Sequence, residues 1–238
     1  MAWLPPEEEP WALSLVVRVE RGSAGGPPGH TDVLVATARA VVALLVDERT
    51  ADPGGVFHDA VERWRGQRIR KIGRRARGGR WDRTADLPHV EARAGSAQVR
   101  AFAPHPRDDA PAVLRDLQVG GLELTDPDSP DRDHGPPEHP GTPAGPVLTV
   151  RLAPGVSMST GKAVAQVGHA AQLALERLDR RTVLTWLGAA VPDVATGLAV
   201  RVVEGAPVLP ASRRVDVRDA GYTEVAPGTV TVSAGFEG

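Results

Sequence analysis

The sequence predicts an α/β protein built as two halves, each a small sheet flanked by helices. Three observations carry this expectation. Short β-branched runs alternate with helical patterns in both halves of the 238-residue chain. Residues 125–146, TDPDSPDRDHGPPEHPGTPAGP, hold seven prolines, five acidic residues and almost nothing apolar, which reads as a semi-extended linker. Beyond that stretch, a strand, two helices and a strand are followed by two more strands in succession, the order of a small mixed sheet with helices against it. The expected organisation is an N-terminal α/β domain over 1–124, a linker over 125–146 and a C-terminal domain over 147–238 with a four-stranded mixed sheet.

In the N-terminal half, LSLVVRVE (13–20) has the alternation of a strand, and TDVLVATARAVVALLVDE (31–48) is long enough and periodic enough for a helix. A second helix holds Trp64. AQVRAF (97–102) is a further strand and APAVLRDLQ (110–118) a short helix. The C-terminal half opens with VLTVRL (147–152), a strand, then APGVS, a turn. Ser159 is the expected N-cap of a helix ending near 178–180. TVLTWLGAA (182–190) is a second helix, and strands follow in GLAVRVVEG (197–205), RRVDVRDAG (213–221) and GTVTVSAG (228–235). Laid over each other, the halves place Arg18 on Arg151, Trp64 near Trp186, and VRAF on VRVV. That suggests a diverged internal duplication with an insert in the first copy. Two unrelated halves sharing the common strand–helix–strand order fit the same facts.

The hydrophobic fraction of 41% suits a packed core. There is no Cys, which excludes thiol catalysis, disulfides and cysteine-ligated zinc and fits a reducing cytoplasm, the expected location. The start, MAWLPPEEEP, does not read as a signal peptide. The most apolar run, VLVATARAVVALLV, has 14 residues and contains Arg39, so it is too short and too charged to span a membrane. Lys71 and Lys162 are the two lysines; every other cation is Arg.

Lys162 belongs to MSTGKAVAQVGHAAQLALERL (158–178). Lys162, Gln166 and His169 are spaced by four and three residues, which puts them within roughly 60° on a helical wheel. Small residues surround them, leaving room for another backbone or a substrate. A helix N-terminus also suits an anion or an oxyanion. A lysine in the first turn runs against the helix dipole, a local conflict of the kind found at functional sites. The wet side of an ordinary amphipathic helix would show the same spacing. A second cluster, VRDAGYTEVAPGTVTV (217–232), carries Asp219, Thr223 and Thr231. A carboxylate at a strand end can orient water or accept its proton; an Asp that closes a turn on its own backbone is the plainer alternative.

Together these stretches resemble the peptidyl-tRNA hydrolase 2 family, whose signature is a GKxAAQxxHAA helix start and a later DAGxTxxxPGxxTV segment. They read GKAVAQVGHAA (161–171) and DAGYTEVAPGTVTV (219–232). The resemblance covers 147–238 and implies a four-stranded mixed sheet flanked by helices. It also implies hydrolysis of the ester between a peptide and the terminal ribose of tRNA by activated water, with no metal or cofactor. By position it assigns Lys162, Asp219, Thr223 and Thr231 to the active site, with Gln166 and His169 as supporting or substrate-binding residues. No Gly-x-Ser-x-Gly elbow points to a serine acyl-enzyme instead. A tRNA-binding module that turns over poorly is the alternative.

The chain departs from the family in three places. Thr160 stands where the family commonly has a second lysine. EGAPVLPASRR (204–214) is shorter than the family's helix there and has two prolines, so the sheet is expected to be less covered, or covered by the N-terminal half. The N-terminal half itself is extra. As a duplicate it would place Asp32 on Lys162, Ala36 on Gln166 and Arg39 on His169. With no Asp-Ala-Gly segment it would be a non-catalytic copy, standing in for the second subunit of a homodimer and making the chain a pseudo-dimeric monomer.

The insert in the first copy is read as RWRGQRIRKIGRRARGGRWDR (63–83), which holds ten cations and one acid, an electrostatic footprint for phosphates. Arg65, Arg68, Arg70, Lys71, Arg74, Arg75 and Arg77 are the candidate tRNA contacts, with Trp64 or Trp81 as stacking partners for a base. A solvated helix neutralised by acidic neighbours is the alternative.

Overall fold

A computed structural model of the protein describes residues 9–20, 26–65, 70–126, 145–190, 193–221 and 224–237. Most of the expected linker (127–144), Arg68 and Thr223 lie outside the described residues. The fold is mixed α/β, with two mixed sheets flanked by helices.

The first half begins with β1 (Trp11–Arg18), whose inner six residues are buried, as befits a central strand of Leu, Val and Ala covered on both faces. It leads to α1 (His30–Val46), with 14 of 17 residues buried. A helix apolar on nearly every side must be packed on nearly every side. Then follow α2 (Glu48–Ala51), α3 (His58–Arg65), β2 (Lys71–Ala76), α4 (Gly79–Arg83), β3 (His89–Ala94), β4 (Ala97–Phe102), the two-residue β5 (His105–Pro106) and α5 (Ala112–Arg115). The sheet order is β2-β1-β4-β3, with β5 on the start of β1.

The second half comprises β6 (Val147–Leu152), α6 (Thr160–Arg177), α7 (Arg180–Ala189), α8 (Val194–Gly197), β7 (Val200–Glu204), β8 (Val215–Arg218) and β9 (Val230–Glu237). Ser159 Oγ accepts from Lys162 N at 3.1 Å and Asp179 from Thr182 N at 2.9 Å. Those two caps start α6 and α7 by satisfying N–H groups that have no intrahelical partner. Between β7 and β8 there is only a three-residue 3₁₀ turn, Ala211–Arg213, as the two prolines require.

The second sheet, β7-β6-β9-β8, repeats the topology of the first. Its first pair is parallel and its other two antiparallel, as in the N-terminal half. One side chain marks the same place in both. Trp64 Nε1 donates to Arg70 O (3.1 Å) just ahead of β2, and Trp186 Nε1 donates to Ala199 O (2.9 Å) just ahead of β7. With those anchors aligned, Leu13 pairs with Lys71 as Leu148 pairs with Val200.

This register corrects the overlay read from sequence. Arg151 falls on Val16 rather than Arg18, and VRAF lies in β4, whose counterpart is β9 rather than β7. A slip of two residues keeps every side chain on its own face, so alternation alone cannot detect it. The register also corrects the reading of 63–83 as an insert. That stretch is the end of α3, the strand β2 and the helix α4, and β2 takes the place that β7 takes in the other half. It escaped a pattern reading because its buried positions are Lys71, Gly73, Arg74 and Ala76, hardly an apolar set.

The halves pack reciprocally: α1 against α6, α6 on β2, and α1 on β7. Of the two expectations for the sheet beside 204–214, the second describes the packing: α1 of the N-terminal half lies on β7. Where the two helix starts meet, His30 Nδ1 and Thr160 Oγ1 are 2.9 Å apart. Small residues make the approach close, since a Cβ on Gly73 would lie 2.8 Å from Gly161 O. One apolar core runs through both halves. Among the described residues no helix is long and apolar enough to cross a membrane.

Candidate functional site

The start of α6 faces the end of β8 and the start of β9, and their side chains form one hydrogen-bonded chain. Lys162 Nζ forms an ion pair with Asp219 Oδ2. Gln166 Nε2 donates to the same oxygen at 2.8 Å. Thr231 Oγ1 donates to Gln166 Oε1 at 3.0 Å and lies 3.3 Å from Val217 O. The carboxylate fixes the amide's orientation, since the side facing it must be the NH2 and the carbonyl is left for the threonine. The network is interior: the side chains of Lys162 and Asp219 are 13% and 3% exposed.

Asp219 is itself held by the loop that follows it. Its N–H donates to Thr229 O (2.9 Å), Gly228 N donates to its carbonyl (2.7 Å), and Gly221 N donates to its Oδ1 (2.8 Å). Gly221 has φ +80°, and a Cβ there would meet Pro227 at 2.7 Å, so the Asp-Ala-Gly order is a geometric requirement. Asp219 therefore closes its own turn with one oxygen, the plainer of the two sequence readings, and anchors the network with the other. An ionised carboxylate offers about four acceptor sites. Among the described residues three are filled, which leaves Oδ1 one lone pair.

The structure thus gathers Lys162, Gln166, Asp219 and Thr231, and Thr223 lies outside the described residues. Its neighbour Glu224, which the sequence reading passed over, accepts from Ser159 N and Oγ at 2.7 and 2.6 Å and ties the loop to the start of α6. His169 does not join the network. It is held neutral, its pKa well below the usual imidazole value, first by burial and then by the positive charges of Lys71 and Lys162. Thr160 is fully buried between the halves, donating to or accepting from His30 and accepting from Leu124 N at 3.0 Å.

The equivalent place in the N-terminal half is closed. Asp32, at the position of Lys162, accepts from Ser96 N and Oγ (both 3.1 Å) in the two-residue turn between β3 and β4. That turn replaces the long loop of the other half. Arg39, at the position of His169, is buried and donates to the carbonyls of Leu198 (3.0 Å) and Arg93 (2.7 Å).

The candidate phosphate contacts divide. Lys71 is buried between the halves, its Nζ 2.5 Å from Gln172 Oε1 and 4.8 Å from the Trp64 ring centroid, and burial pushes its pKa down to about 7 against the opposing pull of Glu176. Gln172 Nε2 in turn donates to Glu176 Oε1 (3.1 Å), which pairs with Arg65. Arg74 is buried, reaching Ser14 Oγ at 3.3 Å. Arg70 is half-buried, with its carbonyl taken by Trp64. Lys71 and Arg74 are therefore interior groups rather than phosphate contacts, and Arg65 is bound to acids. Trp64 and Trp81 are also buried, so neither offers a face to a base. Arg75 and Arg77 remain at the surface, where they line a cleft of about 980 Å³ with Arg80 and Arg83. The last two were missed, although they stand three residues apart, a spacing that puts both on one side of a helical turn.

Compared with protein-family models, curated proteins and solved structures, the chain gave no match.

Proposed function

We propose that the protein hydrolyses the ester of peptidyl-tRNA, or of an N-blocked aminoacyl-tRNA, releasing tRNA and peptide. One observation carries this reading: two motifs, at 161–171 and 219–232, which resemble the peptidyl-tRNA hydrolase 2 signature, bring Lys162, Gln166, Asp219 and Thr231 into a single network. An ester is already activated, so a positioned water and support for the developing oxyanion suffice. The open lone pair on Asp219 Oδ1 is the acceptor for the water's proton. Gln166, locked by Thr231, fixes the other oxygen. Lys162 pairs with the carboxylate and stands in the first turn of α6, where negative charge is stabilised. On this reading the N-terminal half takes the place of a second subunit, with Thr160 given over to the contact between halves instead of to phosphate, and the protein works in the cytoplasm.

The near-complete burial of Asp219 favours a second reading, a tRNA-binding module of the same fold with little turnover. One experiment separates them: release of peptide from N-blocked aminoacyl-tRNA by the wild type, Asp219→Asn and Lys162→Met, with circular dichroism to confirm folding. The hydrolase reading expects the wild type to exceed folded Asp219→Asn by about 10²-fold or more. Equal rates would overturn it.

A further inference from the structure

We infer that the cleft beyond the carboxyl end of β2, walled by Arg75, Arg77, Arg80 and Arg83, binds the phosphate backbone of RNA. It holds four guanidinium groups and, among its lining residues, one acid, Asp82. Arg77, Arg80 and Arg83 are exposed and form no ion pair among the described residues. Glu20, whose carboxyl also feels the Arg77 charge weakly, is bound to Arg18 and to Gly78 N. Like charges gathered in a concavity repel one another and raise the local concentration of anions.

Arg75 is preorganised without being neutralised. Its Nε and one terminal nitrogen both donate to the uncharged Oε1 of Gln118, at 3.1 and 2.6 Å, so the guanidinium plane is fixed while its charge persists. Beside it, Gly79 has nothing within 4 Å of where a Cβ would stand, which leaves room for a ligand.

The occupant is a backbone rather than a free nucleotide. A nucleotide site would present an aromatic platform to the base. The aromatic here, Trp81, is 2% exposed and lies under Arg100, 3.9 Å from its ring centroid, and Arg18, at 5.8 Å. Recognition in the cleft is therefore by charge, which suits a chain of phosphates and carries no sequence information.

Position supplies the RNA. Arg75 N donates to Gln118 O, and Gly161 N, in the first turn of α6, donates to Leu122 O. Four peptide steps separate Gln118 from Leu122, so their Cα atoms are at most about 15 Å apart. The cleft and Lys162 thus lie at one end of the molecule, within reach of one RNA terminus. The choice of tRNA rests on the proposed function; the binding of phosphates does not.

The test uses the full chain and deacylated tRNA, which has no ester to cleave. Binding is measured from 50 to 200 mM salt for the wild type, Arg77→Ala/Arg80→Ala/Arg83→Ala, and a control, Arg180→Ala/Arg181→Ala, at exposed sites on α7. The expected result is at least tenfold weaker binding by the triple variant alone, with its log–log salt slope flattened by about two to three. Unchanged binding by the triple variant, or no binding by the wild type, overturns the inference. So does a mononucleotide or inorganic phosphate that competes at tRNA's own affinity, or a DNA duplex of equal charge that binds more tightly. A wild type that binds tRNA through these arginines yet releases no peptide from N-blocked aminoacyl-tRNA leaves the cleft standing and removes the hydrolase reading.

Discussion

Replacing Lys71 with Met should reshape the alkaline stability of the protein. Lys71 is an unusual resident for the seam between two halves. Its amine sits against Gln172 Oε1 and over the Trp64 ring, and a Cβ on Gly168 would touch its side chain at 2.9 Å. Burial lowers its pKa from 10.5 to about 7. The unfolded chain therefore binds a proton there between pH 7 and 10.5 that the folded chain has released. Wherever the unfolded state holds more protons, stability rises with pH. Below pH 7 both states are charged and the full cost of burying the cation is present. Above 10.5 both are neutral and it is gone. With these two values the cost is about 4 kcal/mol at pH 7 and about 2 kcal/mol at pH 9.

Lys71→Met removes this titration but leaves Gln172 Oε1 without its donor, a loss of about 1–3 kcal/mol that does not depend on pH. The slope, not the level, is the signature. Urea unfolding at pH 7 and pH 9 reads it, in a window kept clear by the absence of Cys. The stability of the wild type relative to the variant should rise by about 2 kcal/mol across the window. A relative change below about 0.5 kcal/mol, or one of opposite sign, refutes the reasoning.

Two further outcomes follow from the packing. His169 stays neutral when folded but protonates near pH 6.5 when unfolded, so it lowers stability by up to about 1.4 kcal/mol per pH unit below 6.5. His169→Asn should flatten that acid limb in urea unfolding at pH 7 and 5, and the wild-type ring resonances should titrate well below the usual imidazole range. Gly73→Ala drives a Cβ to 2.8 Å from Gly161 O, a backbone atom that cannot swing away, and should lower stability by about 1–3 kcal/mol. Gly188→Ala, in the exposed last turn of α7 with nothing within 4 Å of its Cβ position among the described residues, should stabilise slightly; equal effects at the two glycines in thermal unfolding would dispose of the close-approach account.

The order of the C-terminal elements was legible because its signals are local. Ser159 and Asp179 cap where a Ser or Asp before a helical pattern should cap, and β6 and β9 alternate plainly. The gathering of Lys162, Gln166 and Asp219 was legible for a different reason: the two distant motifs together resemble the peptidyl-tRNA hydrolase 2 signature, and that resemblance implies one site. What could not be read was tertiary. β2 carries Lys71 and Arg74 at buried positions because its neighbours supply Gln172, Ser14 and the Trp64 ring. A charge count sees only cations there and assigns them to solvent. Trp64 and Trp81 failed as stacking platforms in the same way. A tryptophan amid arginines looks like a nucleic-acid surface, yet Trp64 is used to fasten the strand behind it and Trp81 to seat Arg100.

The same comparison explains why one repeat of the topology holds a polar network and the other does not. Both halves place a helix start beside a strand pair, but the connection between those strands differs. In the C-terminal half it runs from Asp219 to Thr229, long enough to fold back on itself and hold a carboxylate over α6. In the N-terminal half it is Gly95 and Ser96, with Gly95 at φ +50° and a Cβ there in collision with Asp32. A turn that tight has no length to present a second charged group, so Asp32 satisfies the turn's own donors and the place is filled. Loop length thus decides which half holds the Lys162–Gln166–Asp219–Thr231 network. With its counterpart place closed, the N-terminal half covers β7 with α1 and seats α6 on β2. Its surplus of cations falls where β2 runs out past the start of α6, on the same side as that network.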